Sequence, residues 1–211
     1  KMELLTVNRD VEGDMKVLEL GMKSHHSILA SFNMNHKYED SMCFDFYWLT
    51  QDEYIYPKEA VYGRIKEEGL DIIKNDSIRF GLKAIYESIY PRLTKTNAFY
   101  PDIEGLFSDY YLDHFSPNTD LSLIFTSIHE NDTISYPIVF NRNGIERKRT
   151  IGYIPLDFEA LKRDNKFHML MDKARKYRGY KLYRYEMAQK ATAIVVRLIN
   201  TELGIEQDHE Q

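Results

Sequence analysis

The sequence predicts an all-α helical bundle. Long antiparallel N- and C-terminal helices bracket shorter ones and a small β-hairpin insertion. Three observations lead there. Apolar residues near the start recur in a narrow seven-residue stripe, and residues 165–203 form one proline-free run of helical periodicity. Between residues 116 and 155 the helical pattern gives way to two β-rich runs joined by Asn143-Gly144, a strong hairpin signal.

Each element follows in turn. Residues 3–31 read as one helix with Leu4, Val7, Val11, Met15, Leu18, Met22 and Leu29 on its apolar side and His25 in the gap. Val11, Leu18 and His25 are seven apart, as are Met15, Met22 and Leu29. This is a bundle or coiled-coil stripe that would equally serve a homodimer. At ~1.5 Å per residue the helix is roughly 40 Å long and needs a comparably long neighbour. Residues 40–54 read as a second, aromatic-rich helix capped by Asp40 or Ser41. Pro57 suits the first position of a third helix, and Gly69 its left-handed end. Asp76 is expected to cap a fourth, with Ile78, Leu82, Ile85 and Ile89 on one face and Pro91 as its stop. Pro101 opens a fifth.

In the hairpin, Pro137 confines its strand to an edge. A short helix over 156–164 then precedes the long one, which Gly204 closes. The inward stripe of that helix is expected at Phe167, Leu170, Ala174, Tyr177, Met187, Ala191, Ile194 and Leu198. The whole reads as one domain over 1–205 with 116–155 inserted, and the polar tail 206–211 is expected to be disordered.

Composition sets limits on function. A chain of 211 residues buries about 70% of its unfolded surface without a staple. Sixteen tyrosines and eleven phenylalanines imply a core of large flat side chains. The net charge of −5 argues against nucleic acid as a whole-surface partner. Cys43 is the only cysteine, which excludes an internal disulfide and a cysteine-based zinc site. No run of eighteen apolar residues occurs, so the chain as given carries no membrane-spanning helix. Its Lys1-Met2 start suggests a segment removed upstream.

The motifs point away from chemistry. The corner EEGLDIIKNDSIRFGL, residues 67–82, has the outline of a helix-turn-helix. A DNA-reading second helix needs basic or amide side chains, and only Arg79 and Lys83 are present, facing Glu59, Glu67 and Glu68 on the preceding helix. The corner therefore reads as packing. Lys173, Arg175, Lys176, Arg178, Lys181 and Arg184, interleaved with Tyr177, Tyr180, Tyr183 and Tyr185, would suit single-stranded nucleic acid or anionic headgroups. On a helix they spread around the circumference, which favours a solvated helix. The seven histidines include no HExxH pair and no i, i+4 pair, so no metal ligands are nominated. There is no Gly-x-Ser-x-Gly, and Cys43 has no positive neighbour to activate it. No cofactor and no catalytic residue is expected. The alternatives are a hydrolase or transferase built from dispersed Asp, Glu and His between helices, and nucleic-acid binding through Lys173–Arg184.

YGRIKEEGLDIIKNDSIRFGLKAIYESIYPRL, residues 62–93, resembles the signature of a Bacteroidetes-type bacterial family of unknown function. Gly69, Leu70, Ile73, Asn75, Asp76, Ser77, Ile78 and Arg79 carry the match. The opening LLTVNRDVEGDMKVLE is similar to that family's first helix beyond its membrane anchor, and the run from residue 154 to its closing helices. The resemblance covers about two thirds of the chain and leaves 116–155 unmatched. It implies a single-pass inner-membrane protein whose helical domain faces the periplasm, attached through a segment upstream of Lys1, or a cytoplasmic protein if no upstream transmembrane helix exists. The family has no established activity, so no catalytic residue is carried over. The expected function is extracytoplasmic binding of a ligand or protein partner without catalysis. The surfaces nominated for it are the aromatic cluster Phe44, Tyr47, Trp48 and Tyr54, and the basic hairpin with Arg142, Arg147, Lys148 and Arg149.

Overall fold

The structure, a computed structural model, describes residues 1–95, 102–118, 139–142, 145–148 and 151–205. It is an all-α bundle with a small β insertion. The helices are α1 (Met2–Asn33), α2 (Met42–Thr50), α3 (Ala60–Glu68), α4 (Asp76–Ala84), α5 (Ile103–His114), α6 (Phe158–Leu161) and α7 (Asn165–Glu202). The strands are β1 (Phe115–Asn118), β2 (Val139–Arg142), β3 (Ile145–Lys148) and β4 (Gly152–Pro155). The described residues fall into two compact units. One lies within Lys1–Leu18, Glu53–Pro101 and Tyr177–Gln211, the other within Glu19–Asp52 and Asp102–Lys176.

In the first unit the start of α1 runs antiparallel to the end of α7. The Tyr185 hydroxyl donates to Asp14 Oδ2 at 3.2 Å, and Leu4 and Ile199 share one cavity wall. Leu4, Val7, Val11 and Leu18 pack with Ile78, Leu82, Ile85, Tyr185, Ala188 and Val195. Gly81 lets α4 sit directly on Val195, where a Cβ would clash with the valine methyl.

The helix ends of this unit differ from expectation. Helix α3 begins at Ala60 rather than Pro57, because its first amides find a distant acceptor: Glu3 takes Val61 N at 2.9 Å and Tyr62 N at 3.4 Å. Gly69 has the positive φ expected of it (+99°), but its ψ of 124° lies outside the left-handed helical basin. The cap of α4 is Asn75, not Asp76. Its side-chain oxygen accepts Ser77 N at 3.1 Å and Ile78 N at 3.3 Å, while Asp76 turns to Arg79 at 2.6 Å. Pro91 does not stop the helix. Lacking an N–H and crowding the preceding turn, it is met by a widened turn over Ile85–Ile89 and a tight one over Tyr90–Leu93.

The second unit has an aromatic core. Phe46 stands 5.2 Å from Phe115 and 6.2 Å from Phe167, ring centre to ring centre, and Phe32 packs on Phe158 at 5.7 Å. The Tyr111 hydroxyl donates to the Phe46 carbonyl at 2.9 Å. Neither Asp40 nor Ser41 caps α2 with its side chain as expected. Ser41 itself is helical and makes no side-chain cap bond. The predicted hairpin is present as β2 and β3, paired antiparallel from Val139↔Lys148 to Arg142↔Ile145. Pro137, Asn143-Gly144 and the tail 206–211 lie outside the described residues. A second antiparallel pair, β1 with β4, runs from Phe115↔Pro155 to Asn118↔Gly152 and was not predicted. It seats Gly152 against Cys43 under α2.

The buried positions of α7 are Phe167, Met171, Ala174, Arg178, Lys181, Tyr185, Ala188, Thr192 and Val195, alternating steps of four and three. That is a heptad seam, and it corrects the expected stripe. Phe167 and Ala174 are on it, whereas Met187 and Ile194 are exposed. Arg178 and Lys181, expected on a solvated surface, are buried. In α1 the row Leu4, Val11, Leu18, His25, Phe32 is buried as the seven-residue spacing requires. Val7, Gly21 and Ile28 are buried beside it, whereas Asp14 is partly covered, as are Met15, Met22 and Leu29 of the expected row.

Candidate functional site: an apolar cavity in the first unit

A cavity of about 240 Å³ opens where the start of α1, the end of α7, α3 and α4 meet. Leu4, Ile65, Ile73, Ile78, Leu82 and Ile199 supply aliphatic walls, and Tyr62 and Tyr86 an aromatic one. Lys1, Val61, Glu202 and Leu203 are the exposed residues of its lining. Local sequence explains the shape. Gly69 and the tight turn at Leu70–Ile72 fold the chain back so that Ile73 faces the wall formed by α4.

The polar groups here are positioned through hydrogen bonds. Glu3 accepts the two α3 amides and also the Tyr86 hydroxyl at 2.8 Å. Tyr86 stacks on Tyr62 at 4.4 Å with planes 6° apart. The Tyr62 hydroxyl donates to Glu87 at 3.1 Å, and Lys66 pairs with Glu87 at 2.8 Å. Burial, then the Glu87 contact, pushes the Tyr62 phenol up to about 12. Burial and the Glu3 bond raise Tyr86 as well. Both phenols stay protonated donors, and Glu87 is held below the usual carboxylate range by Lys66 and Tyr62. The wall is aliphatic and aromatic, and the two carboxylates of the lining, Glu3 and Glu202, are hydrogen-bonded. It is suited to holding an apolar group, with no activated proton carrier beside it.

The nominated residues separate. Phe44, Tyr47 and Trp48 lie half-buried on α2 in the second unit. Tyr47 meets Trp48 edge-on at 5.3 Å and stacks loosely on Tyr153 at 6.3 Å. Tyr54 is buried and belongs to the first unit, with the Lys181 ammonium 3.7 Å from its ring centre. It is a core residue of that unit. Arg142, Arg147 and Lys148 fall in β2 and β3, and Arg149 lies outside the described residues.

The alternative sites can be followed residue by residue. In the basic run, Arg175 and Lys176 both bind Asp172, at 2.9 and 2.8 Å, and Arg184 bonds Tyr180 one turn back. Arg178 and Lys181 are buried, which withdraws two of the run's six basic residues from the surface. The imidazoles of His26, His114 and His168 bond the carbonyls of Met22, Tyr110 and Lys162. The nearest approach to an acid–base group is Tyr110 donating to Asp164 at 2.5 Å with His114 stacked on Tyr110 at 4.0 Å. Asp164 also accepts Lys166 N at 2.7 Å and Phe167 N at 3.4 Å, so its carboxylate starts α7. Burial raises the Cys43 thiol, which accepts from Asn118 at 3.4 Å and stays a protonated core group. Among the described residues, no group of three or more His, Cys, Asp or Glu is placed to hold a metal.

The fold thus defines a helical bundle with an apolar cavity in one of its units. Comparison with protein-family models, with curated proteins and with solved structures finds no match, so the reading rests on the chain itself.

Proposed function

We propose that this chain is a non-catalytic binding domain that takes a small apolar ligand, such as a short alkyl chain, into the cavity of the first unit. The observation that carries the reading is the cavity's makeup: about 240 Å³, walled by aliphatic side chains, with the carboxylates Glu3 and Glu202 at its edge already hydrogen-bonded. An engineered cavity of ~150 Å³ with similar walls holds benzene, so this one has room for a somewhat larger apolar group. The resemblance of residues 62–93 supports a periplasmic setting, with attachment to the inner membrane through a segment upstream of Lys1. No helix among the described residues is long and apolar enough to cross a membrane.

Methyl-resolved NMR during titration with octyl glucoside, below its micellar concentration, tests the binding. Saturable shifts centred on Ile65, Ile78, Leu82 and Ile199 are expected. Shifts spread evenly over both units, or none that saturate, would overturn the reading. Fractionation of the full-length gene product tests the setting, and a wholly soluble cytoplasmic protein would refute it.

A further inference from the structure

Helix α7 carries a second apolar stripe that its own unit leaves open. Met187 and Ile194, seven residues apart, are 42% and 50% exposed, and Tyr183 one turn earlier is 54% exposed. Ala191 and Leu198, also seven apart, lie between this outer row and the core, packing on the core with part of their surface left uncovered. At ~100° per residue this stripe sits about a third of a turn round the helix from the buried seam through Tyr185, Ala188, Thr192 and Val195. A heptad-spaced apolar row is the pattern of helix–helix pairing, and among the described residues Met187 and Ile194 have no mate.

We infer that the mate is the same stripe of a second copy, packed antiparallel about a twofold axis near Ala191. Charge complementarity selects this occupant and its direction. The exposed flank of the stripe carries Glu186, Lys190 and Arg197. Antiparallel pairing centred on Ala191 brings Glu186 of one copy within a residue of level with Arg197 of the other, twice by symmetry. Parallel pairing would place the charged flanks of the two copies on opposite sides of the interface, where Glu186 and Arg197 do not meet. Lys190 approaches its own copy near the axis, and Glu186, 3.9 Å away in the same chain, offsets that charge. Ala191, with only a methyl at the axis, lets the two helix backbones come close.

Light scattering and sedimentation equilibrium on the 211-residue chain across concentrations give the test. A concentration-dependent dimer is expected, and Ile194→Glu should abolish it while circular dichroism stays unchanged. Glu186→Arg and Arg197→Glu should each weaken the dimer by about tenfold. That corresponds to two lost exposed pairs of ~0.3–1 kcal/mol each. The double exchange should restore wild-type affinity. A monomer at every concentration, a dimer indifferent to Ile194→Glu, or a double exchange no better than the single ones would overturn the inference. If Ile194→Glu does not fold, the charge-exchange series decides alone. The ligand titration reads a different face of the unit, so failure of either proposal is recognisable without the other.

Discussion

Asp14 is a carboxyl on the seam of α1, where a bundle ordinarily places an apolar side chain. Burial, the neighbouring charge of Glu53 and, to a smaller degree, Asp10 push it from the ordinary 3.8 up to about 7, against the lowering effect of its bond from Tyr185. An acid whose folded pKa is raised holds its proton in the native state while the unfolded chain has released it. Between pH 3.8 and about 7 the native state therefore binds more protons, and stability falls as pH rises, levelling off above 7. The whole shift would correspond to ~4 kcal/mol at 1.36 kcal/mol per pH unit. Partial exposure of the side chain reduces this to about 2 kcal/mol. Asp14→Asn keeps an acceptor for Tyr185 and removes the titration. Urea unfolding of both proteins at pH 4 and pH 8 should show the variant gaining about 2 kcal/mol on wild type between the two. A stability difference independent of pH would refute the reasoning. So would a wild type that gains on the variant at high pH, which would mean an ionised Asp14 stabilised by a cation.

Two further outcomes follow from close packing and capping. A Cβ on Gly152 would lie 2.8 Å from Cys43 Sγ and 3.1 Å from the Cys43 carbonyl oxygen. Gly152→Ala should therefore cost about 1–3 kcal/mol in urea unfolding, with Cys43→Ala recovering part of it; an unchanged midpoint would show that the sheet can shift away. Asn75→Ala should cost about 1 kcal/mol and Asn75→Ser much less, since serine restores an acceptor for the α4 amides; equal losses would remove capping as the cause.

The long helices were legible because hydrophobic periodicity over thirty or so residues has few other solutions, and Asn143-Gly144 marked the hairpin for the same local reason. Which face turned inward was harder to read. Helix α7 has apolar residues on two faces, and the true seam passes through Arg178, Lys181 and Thr192, which a count of hydrophobic residues rejects. In α1 Met15, Met22 and Leu29 read as more apolar than Asp14 and Gly21, yet Gly21 is buried and Asp14 is the residue that Tyr185 bonds. The ends of α3 and the pairing of β1 with β4 depend on partners far along the chain: Glu3 for Val61, Asn118 for Gly152. The cavity draws its walls from both termini and the middle, so no window of sequence contains it.

The antiparallel match of α1 with α7 also sets a timetable. Asp14 meets Tyr185 across 171 residues, and Tyr90 reaches Thr192 across 102. At ~5–20 residues per second, roughly ten to thirty seconds of synthesis separate the two halves of that seam. Leu4, Val7, Val11 and Leu18 can meet Ile78, Leu82 and Ile85 earlier, but the side of that core that Tyr185, Ala188 and Val195 complete stays open over the interval. Loop closure over such a span makes the last contacts slow to form as well as late. The core of the first unit is closed by α7, and a chain that stopped before it would leave that core open to other apolar surfaces.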